Sequence, residues 1–220
     1  SGAGLRLAAA GLVAVLVAGT VWRNRAWATA ETMWEDSIRK TPANARAHNG
    51  LGNALRWRGD IEGAMAHFRR AIEVDPDYAD AHNNVGALLA QRGETEEAAR
   101  YLARAIRLAP DLADAYNNFG NVLTRLGRSA EARASYEKAL QLLPTFPEAE
   151  MNLGMALAKQ GDVDGALAHY RRSAEQAPQL AVAHVLVGRA LLVKGEVEEA
   201  VGSLRRAIQP DQRVDVGRRR

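Results

Sequence analysis

Glycine recurs at intervals of 34 residues along this chain, and that spacing restricts the fold more than any other feature of the sequence. A second glycine column, an alanine column and a proline column keep the same interval. A fixed period of this length is typical of proteins built from stacked copies of one supersecondary unit. The four columns are Gly52, Gly86, Gly120, Gly154 and Gly188; Gly59, Gly93, Gly127, Gly161 and Gly195; Ala64, Ala98, Ala132, Ala166 and Ala200; and Pro76, Pro110, Pro144 and Pro178.

Each column has a mechanical reason that predicts a helical hairpin. The first glycine lies within a predicted helix, where glycine costs up to about 1 kcal/mol relative to alanine, so we expect two backbones to approach closely there. The second glycine follows that helix and can adopt the positive φ that closes a last helical turn. Proline ends the second helix because it has no N–H to donate. The predicted hairpins cover residues 45–78, 79–112, 113–146, 147–180 and 181–210.

The residues of the first hairpin resemble the tetratricopeptide repeat (TPR). The resemblance covers about residues 45–210, and it implies an all-α solenoid of helical hairpins wound into a right-handed superhelix. Residues 24–44 match only a second helix, so we expect a half repeat that caps the apolar end of the solenoid. Residues 211–220 lack helical periodicity and are predicted to be a disordered tail. The residues that carry the resemblance are Leu51, Gly52, Leu55, Ala64, Phe68, Ala71 and Pro76, with Ala30, Trp34, Ser37 and Pro42 in the half repeat.

An uncharged stretch of 16 residues runs from Leu7 to Trp22. It is apolar on every face and is followed by Arg23, which is typical of a helix end at a lipid headgroup layer. We therefore predict a transmembrane helix over residues 1–23; an export signal and a buried helix of a soluble domain are the alternatives. Residues 7–48 carry Arg23-Asn24-Arg25-Ala26-Trp27, then Trp34, then the run from Pro42 to Ala47. This stretch resembles the junction in membrane O-mannosyltransferase-like glycosyltransferases, which carry a TPR tail after their last membrane helix.

The composition excludes several kinds of chemistry. The chain has no cysteine, so thiolate zinc sites, iron–sulfur clusters and cysteine nucleophiles are excluded. A formal charge of +3 is too small to indicate nucleic-acid binding. No phosphate-binding glycine loop or nucleophile elbow is present. The histidines fall in two repeat columns that we expect to lie too far apart to share a metal ion: His48, His82 and His184, and His67 and His169. We predict a noncatalytic chain without metal or cofactor.

Asparagine is concentrated on the first helices of the first four hairpins, and the first helices line the inner groove in the TPR family. It is a mediocre helix former, so its frequency there indicates another role. The amide offers donors and an acceptor that suit the backbone of an extended peptide, and the arrangement resembles the asparagine ladder of nucleocytoplasmic O-GlcNAc transferases. The alternative is that asparagine is simply frequent at these places in the family. The predicted groove residues are Asn49, Asn53, Asn83, Asn84, Asn117, Asn118, Asn121, Arg125 and Asn152.

The last hairpin departs from this polar pattern. Its groove positions carry Val182, Val185, Leu186 and Val193, where earlier hairpins carry polar side chains such as Asp80. Because an exposed apolar patch indicates an interaction site, we predict self-association or partner docking there.

Two functions follow from these features. The first is a membrane-anchored TPR scaffold whose groove binds an extended polypeptide or a partner protein. The alternative is the acceptor-presenting TPR region of a membrane glycosyltransferase whose catalytic part precedes this chain. Arg23 and Arg25 favour a cytoplasmic solenoid by the positive-inside rule, whereas the glycosyltransferase resemblance implies the periplasm or a lumen, which we prefer.

Overall fold

The structure is a computed structural model that describes residues 30–208 of the chain. Within residues 30–208 every regular element is an α-helix, and there are eleven of them. The predicted all-α class and the repeated helical hairpin are thereby confirmed. The helices are α1 (30–40), α2 (Ala45–Arg58), α3 (Ile61–Val74), α4 (Ala79–Arg92), α5 (Thr95–Leu108), α6 (Ala113–Arg125), α7 (Ser129–Leu142), α8 (Pro147–Lys159), α9 (Val163–Gln176), α10 (Ala181–Lys194) and α11 (Val197–Ile208).

The predicted membrane helix over residues 1–23 and the predicted tail over residues 211–220 both lie outside the described residues. Between residues 30 and 208 no helix has the length and the apolar character needed to cross a membrane. Helix α1 is a single helix that precedes the first hairpin, in the place of the predicted half repeat.

Glycine closes the turn inside each hairpin, as the sequence predicts. The five glycines of the second column all have positive φ, between 75° and 91°. The backbone N–H of Gly59 donates to the carbonyl of Arg56, and Asp60 then caps the next helix because its side chain accepts from the N–H of Gly63 at 2.9 Å. Asp162 caps α9 in the same way. Each hairpin therefore turns within a few residues.

The mid-helix glycines make room for a large side chain from the second helix. A Cβ added to Gly52 would lie 2.6 Å from the buried ring of Phe68, and one added to Gly154 would lie 2.6 Å from the ring of Tyr170 and 3.1 Å from the carbonyl oxygen of Ala166. Close approach of the two backbones, which we expected from the sequence, is thus only part of the reason for this column. The ring that covers the glycine restricts the size of the residue at this position more strongly than the backbone does.

The chain divides into two compact units, with the division between Leu88 and Leu89 inside α4. In the first unit α2 packs on α3, where Ala64, Phe68 and Ala71 are fully buried. In the second unit α6 packs on α7, α8 on α9 and α10 on α11. A continuous apolar cluster there extends from Leu123 to Ala200. The predicted hand of a superhelix stays a prediction.

Candidate functional site

Hydrogen bonds between amides join the first helices of successive hairpins. The Nδ2 of Asn84 donates to the Oδ1 of Asn49 at 2.9 Å, and the Nδ2 of Asn152 donates to the Oδ1 of Asn117, also at 2.9 Å. Asn49, Asn84 and Asn117 are buried. These amides therefore have a structural role that the sequence reasoning missed, because it assumed exposed side chains along the whole row.

The remaining asparagines differ in how much they can offer a ligand. Asn83 is buried, whereas Asn53, Asn118 and Asn121 are partly exposed. No hydrogen bond is found for the Asn53 amide within residues 30–208. The guanidinium of Arg125 is exposed and donates to the backbone carbonyl of Ala90.

Asn121 belongs to a small hydrogen-bonded network that fixes its amide. The hydroxyl of Tyr136 donates to the Oδ1 of Asn121 at 2.8 Å, and the same hydroxyl lies 3.2 Å from the Oγ1 of Thr124. Thr124 in turn donates to the carbonyl of Gly120. Burial raises the pKa of Tyr136, so its hydroxyl stays protonated and remains a donor. Within residues 30–208 the Nδ2 of Asn121 has no hydrogen-bond partner, so it can donate to a ligand from this orientation.

Removing one amide of the buried pair is expected to cost stability. In Asn84→Ala the Oδ1 of Asn49 loses its donor while staying buried, which costs about 1–3 kcal/mol. Asn53→Ala, which breaks no such bond, is the control and should cost less. Urea unfolding of Asn49→Ala, Asn84→Ala and the double variant measures the coupling, which we expect to be about 1 kcal/mol. Strictly additive losses would show that the bond contributes nothing to stability.

Three histidines in the first turn of a first helix bind the preceding proline loop. The Nε2 of His48, His82 and His184 lies 3.1, 2.9 and 2.9 Å from the carbonyl oxygens of Pro42, Pro76 and Pro178. Because a carbonyl only accepts, Nε2 carries the proton and donates in each case. This histidine column has a structural role in the hairpin connections.

Two histidines from different columns meet inside the first hairpin. The Nδ1 atoms of His48 and His67 are 3.0 Å apart, and the ring centroids are 5.3 Å apart. We expected the two columns to lie too far apart to share a metal ion, and that separation is wrong for this pair, because the two positions face each other across α2 and α3. His48 donates through Nε2 to Pro42, so a neutral His48 accepts at Nδ1 from the Nδ1–H of His67. In the part of the chain that the structure describes, no group of three potential ligands could hold a metal.

The histidine pair predicts a loss of stability in mild acid. Burial, and to a lesser extent the charge on His48, lower the pKa of His67 from 6.5. The unfolded chain then binds the proton more readily than the folded chain, so stability is complete above about pH 6.5 and falls as the pH drops below it. Denaturant unfolding of the wild type and of His67→Gln between pH 7.5 and 5 should show a shallower decline in the variant. Parallel declines would contradict this assignment.

In the fourth hairpin a glutamate and a histidine occupy the positions of the His48–His67 pair. Glu150 stands at the place of His48, and its Oε2 lies 2.5 Å from the Nδ1 of His169, which stands at the place of His67. The Glu150 side chain is only 5% exposed, and Arg172 approaches it no closer than 3.8 Å. His169 is therefore the main partner of a buried carboxylate.

An apolar cleft of about 590 Å³ lies on α8, α9 and α10. Leu186 and Val193 of the predicted apolar patch line it, whereas Val182 and Val185 do not. Val182 is exposed and Val185 is partly buried. The structure thus divides the predicted patch in two. The cleft is lined by Met155, Ala158, Val163, Ala166, Tyr170, Leu186, Arg189, Ala190, Leu192 and Val193.

Sequence reasoning missed half of this cleft because it compared only the last hairpin with the others. Met155 and Arg189 occupy the same place in successive repeats as Asn53 and Asn121. A comparison of that column would have shown amides in the first and third repeats, Ala87 in the second, and then an apolar and a basic side chain. The contribution of Tyr170 was not readable from the sequence, where it appears as a core residue.

Comparison with known proteins identifies the repeat. Two TPR sequence profiles match: one, described as TPR repeat, covers residues 52–91 and 86–127, and the other, described as tetratricopeptide repeat, covers residues 117–181. Together they span more than half of the chain. No curated protein matches the chain in sequence.

Solved structures agree with this fold. The chain is 27% identical to YrrB, described as a TPR protein with an unusual peptide-binding site, over 82% of this chain and 94% of that one, with a TM-score of 0.59. It is 25% identical to TTC0263, a TPR protein of Thermus thermophilus, over 79% and 94% of the two chains, with a TM-score of 0.64. PilF of Pseudomonas aeruginosa shares the fold at 24% identity over 84% of each chain, with a TM-score of 0.70.

The glycosyltransferase resemblance of the N-terminal junction finds no support in these relatives and stays a prediction. The repeat columns, the eleven helices within residues 30–208 and the matching profiles all lead to one assignment. The chain is a member of the tetratricopeptide repeat family.

Proposed function

We propose that this chain is a noncatalytic scaffold that binds an extended polypeptide along the first helices of its hairpins. The observation that carries the proposal is the Asn121 amide, which Tyr136 holds by its Oδ1 so that its Nδ2 remains free to donate to a peptide carbonyl. Because the amide is already oriented, binding loses little side-chain entropy. The likeness to YrrB, which is described as having a peptide-binding site, supports the same function.

Asn53 supplies a second contact of the same kind in the first unit. It is partly exposed, and it occupies the same place in its repeat as Asn121. Backbone carbonyls and N–H groups are present in every peptide, so amides at this place bind a chain with little dependence on its side chains. We propose that the buried asparagine pairs support these two by holding neighbouring first helices in register.

The test is selection from a random twelve-residue peptide library displayed on phage, with the full chain immobilised. We expect the wild type to retain peptides and Asn121→Arg or Asn53→Arg to bind the retained peptides at least tenfold more weakly. Arginine is compatible with the fold at this place, because Arg189 occupies it in the last repeat. The larger cationic side chain would cover the proposed path of the peptide.

The matched control is Gln141→Arg, which adds the same charge on the exposed surface of α7. Its affinity for the same peptides should stay within twofold of the wild type, and melting curves should confirm that all variants are folded. Failure to retain any peptide would overturn the proposal, as would equal binding by wild type and both asparagine variants.

We further propose that residues 1–23 anchor the chain in a membrane, with the repeats in the periplasm or a lumen. The anchor rests on the apolar sequence from Leu7 to Trp22. The side of the membrane rests only on the glycosyltransferase resemblance. Alkaline carbonate extraction of membranes from expressing cells should leave the full chain in the pellet, and removal of residues 1–23 should release it. Release of the full chain would contradict the anchor.

A further inference from the structure

The structure assigns the apolar cleft on α8, α9 and α10 to a second, selective part of the binding surface. We infer that it takes an extended peptide segment in which an apolar side chain and an acidic side chain are two residues apart. This inference rests on the proposed peptide binding and names the side chains that would be recognised.

The floor and walls of the cleft suit an apolar side chain. The volume of about 590 Å³ is within the usual range of ligand sites. Val193 is 73% exposed, Leu192 47% and Met155 42%. Exposed large apolar side chains that share a concave surface favour burial against a partner.

The charge of the cleft favours an acidic residue as the second recognised side chain of the peptide. Arg189 is the one charged residue among the residues that line it, and no carboxylate lines it. Within residues 30–208 the guanidinium of Arg189 has no ion pair. Lys159 follows the lining residue Ala158 and is also without an ion pair in that part of the chain.

The nearest carboxylates along the chain are already engaged. Asp162 and Asp164 flank the lining residue Val163. Asp162 caps α9 through the N–H of Gly165 at 2.9 Å, and Asp164 pairs with Lys194 at 2.7 Å. An acidic group from a peptide would therefore be the carboxylate that Arg189 binds.

The spacing of the two side chains follows from helix geometry. Arg189 lies three residues after Leu186 and four before Val193, which is about one helical turn, or about 5.4 Å of rise, in each direction. Side chains two residues apart in an extended peptide lie on the same face about 6.6 Å apart. An apolar side chain in the cleft thus places an acid two residues away beside Arg189.

The experiment repeats the phage selection with the full chain as wild type, Arg189→Glu, Val193→Asp and Arg205→Glu. We expect wild-type clones to be enriched in Phe or Leu with Asp or Glu two residues away. Arg189→Glu should exchange the acid for Lys or Arg, and Val193→Asp should abolish the preference for the apolar residue. Arg205→Glu, a charge reversal on exposed α11, should leave the motif unchanged.

A synthetic peptide, acetyl-Ser-Gly-Phe-Gly-Glu-Gly-Ser-amide with a fluorescent label, measures the pair directly by anisotropy. Arg189→Glu should weaken its binding at least tenfold, and the peptide with Lys in place of Glu should recover most of that loss. Recovery of binding by the Lys peptide would show that the Arg189→Glu variant is still folded.

The outcomes separate the two proposals. If no peptide is retained, both are wrong. Suppose instead that peptides are retained and that Asn121→Arg weakens their binding. If Arg189→Glu then selects the same motif as the wild type, only the cleft assignment is wrong. A full chain that is a dimer and becomes monomeric on Val193→Asp would show that a second copy covers the cleft, and would also overturn it.

Discussion

Gly154→Val is expected to lower the free energy of unfolding by about 3 kcal/mol. The new side chain would enter the space of the Tyr170 ring, which lies 2.6 Å from the position of a Cβ, and the carbonyl of Ala166 is close behind it at 3.1 Å. Tyr170 is only 4% exposed, so displacing its ring would disturb the contacts that bury it. Urea unfolding of the full chain measures the loss.

Gly202→Val is the matched control on α11. Apart from its chain neighbours and the backbone of its own helix, no atom of residues 30–208 lies within 4 Å of the Cβ position at Gly202, and the residue is exposed. Valine and glycine have similar, low helix propensities, so the change should be within about 0.5 kcal/mol. Similar losses from the two substitutions would show that backbone entropy, and not the tyrosine ring, decides the cost at Gly154.

His169→Leu is expected to cost about 3 kcal/mol, because it removes the main partner of a buried carboxylate. Glu150 would lose its 2.5 Å contact and keep only Arg172 at 3.8 Å. Adding Glu150→Gln to His169→Leu should recover part of the stability, since a neutral amide is less costly to bury than a carboxylate. Chemical denaturation of the single and double variants tests both statements.

Arg172→Ala is the control for the same site. The Arg172 side chain is 55% exposed, so its ion pair is expected to contribute less than about 1 kcal/mol. An Arg172→Ala loss as large as that of His169→Leu would show that the carboxylate depends on the arginine instead.

The repeat was readable from the sequence because its constraints are local. Gly59 needs a positive φ and Pro76 ends a helix whatever surrounds them, so their spacing predicts the hairpins without any knowledge of packing. The reason for the mid-helix glycines was predicted only in part, since the identity of the covering side chain depends on the partner helix.

The candidate site was harder to predict because exposure depends on the neighbouring repeat. Asn84 and Asn121 look alike in the sequence, but the first is buried against Asn49 and the second is partly exposed beside Tyr136. The contact between His48 and His67 was missed because the columns were compared between repeats and not within one hairpin.

The amide pairs also bear on how such an array can change in length. Each pair joins the fifth place of one repeat to the sixth place of the next, as between Asn117 and Asn152. A duplicated repeat with asparagine at both places would supply one amide of the hydrogen-bonded pair to the repeat on either side. Gene duplication could therefore insert it without further adaptation. After the fourth repeat this amide pair is lost, because Met151 occupies the fifth place of the fourth repeat and Leu186 the sixth place of the fifth. A copy added beyond that point would need a new way to join, which confines growth of the array to its earlier repeats.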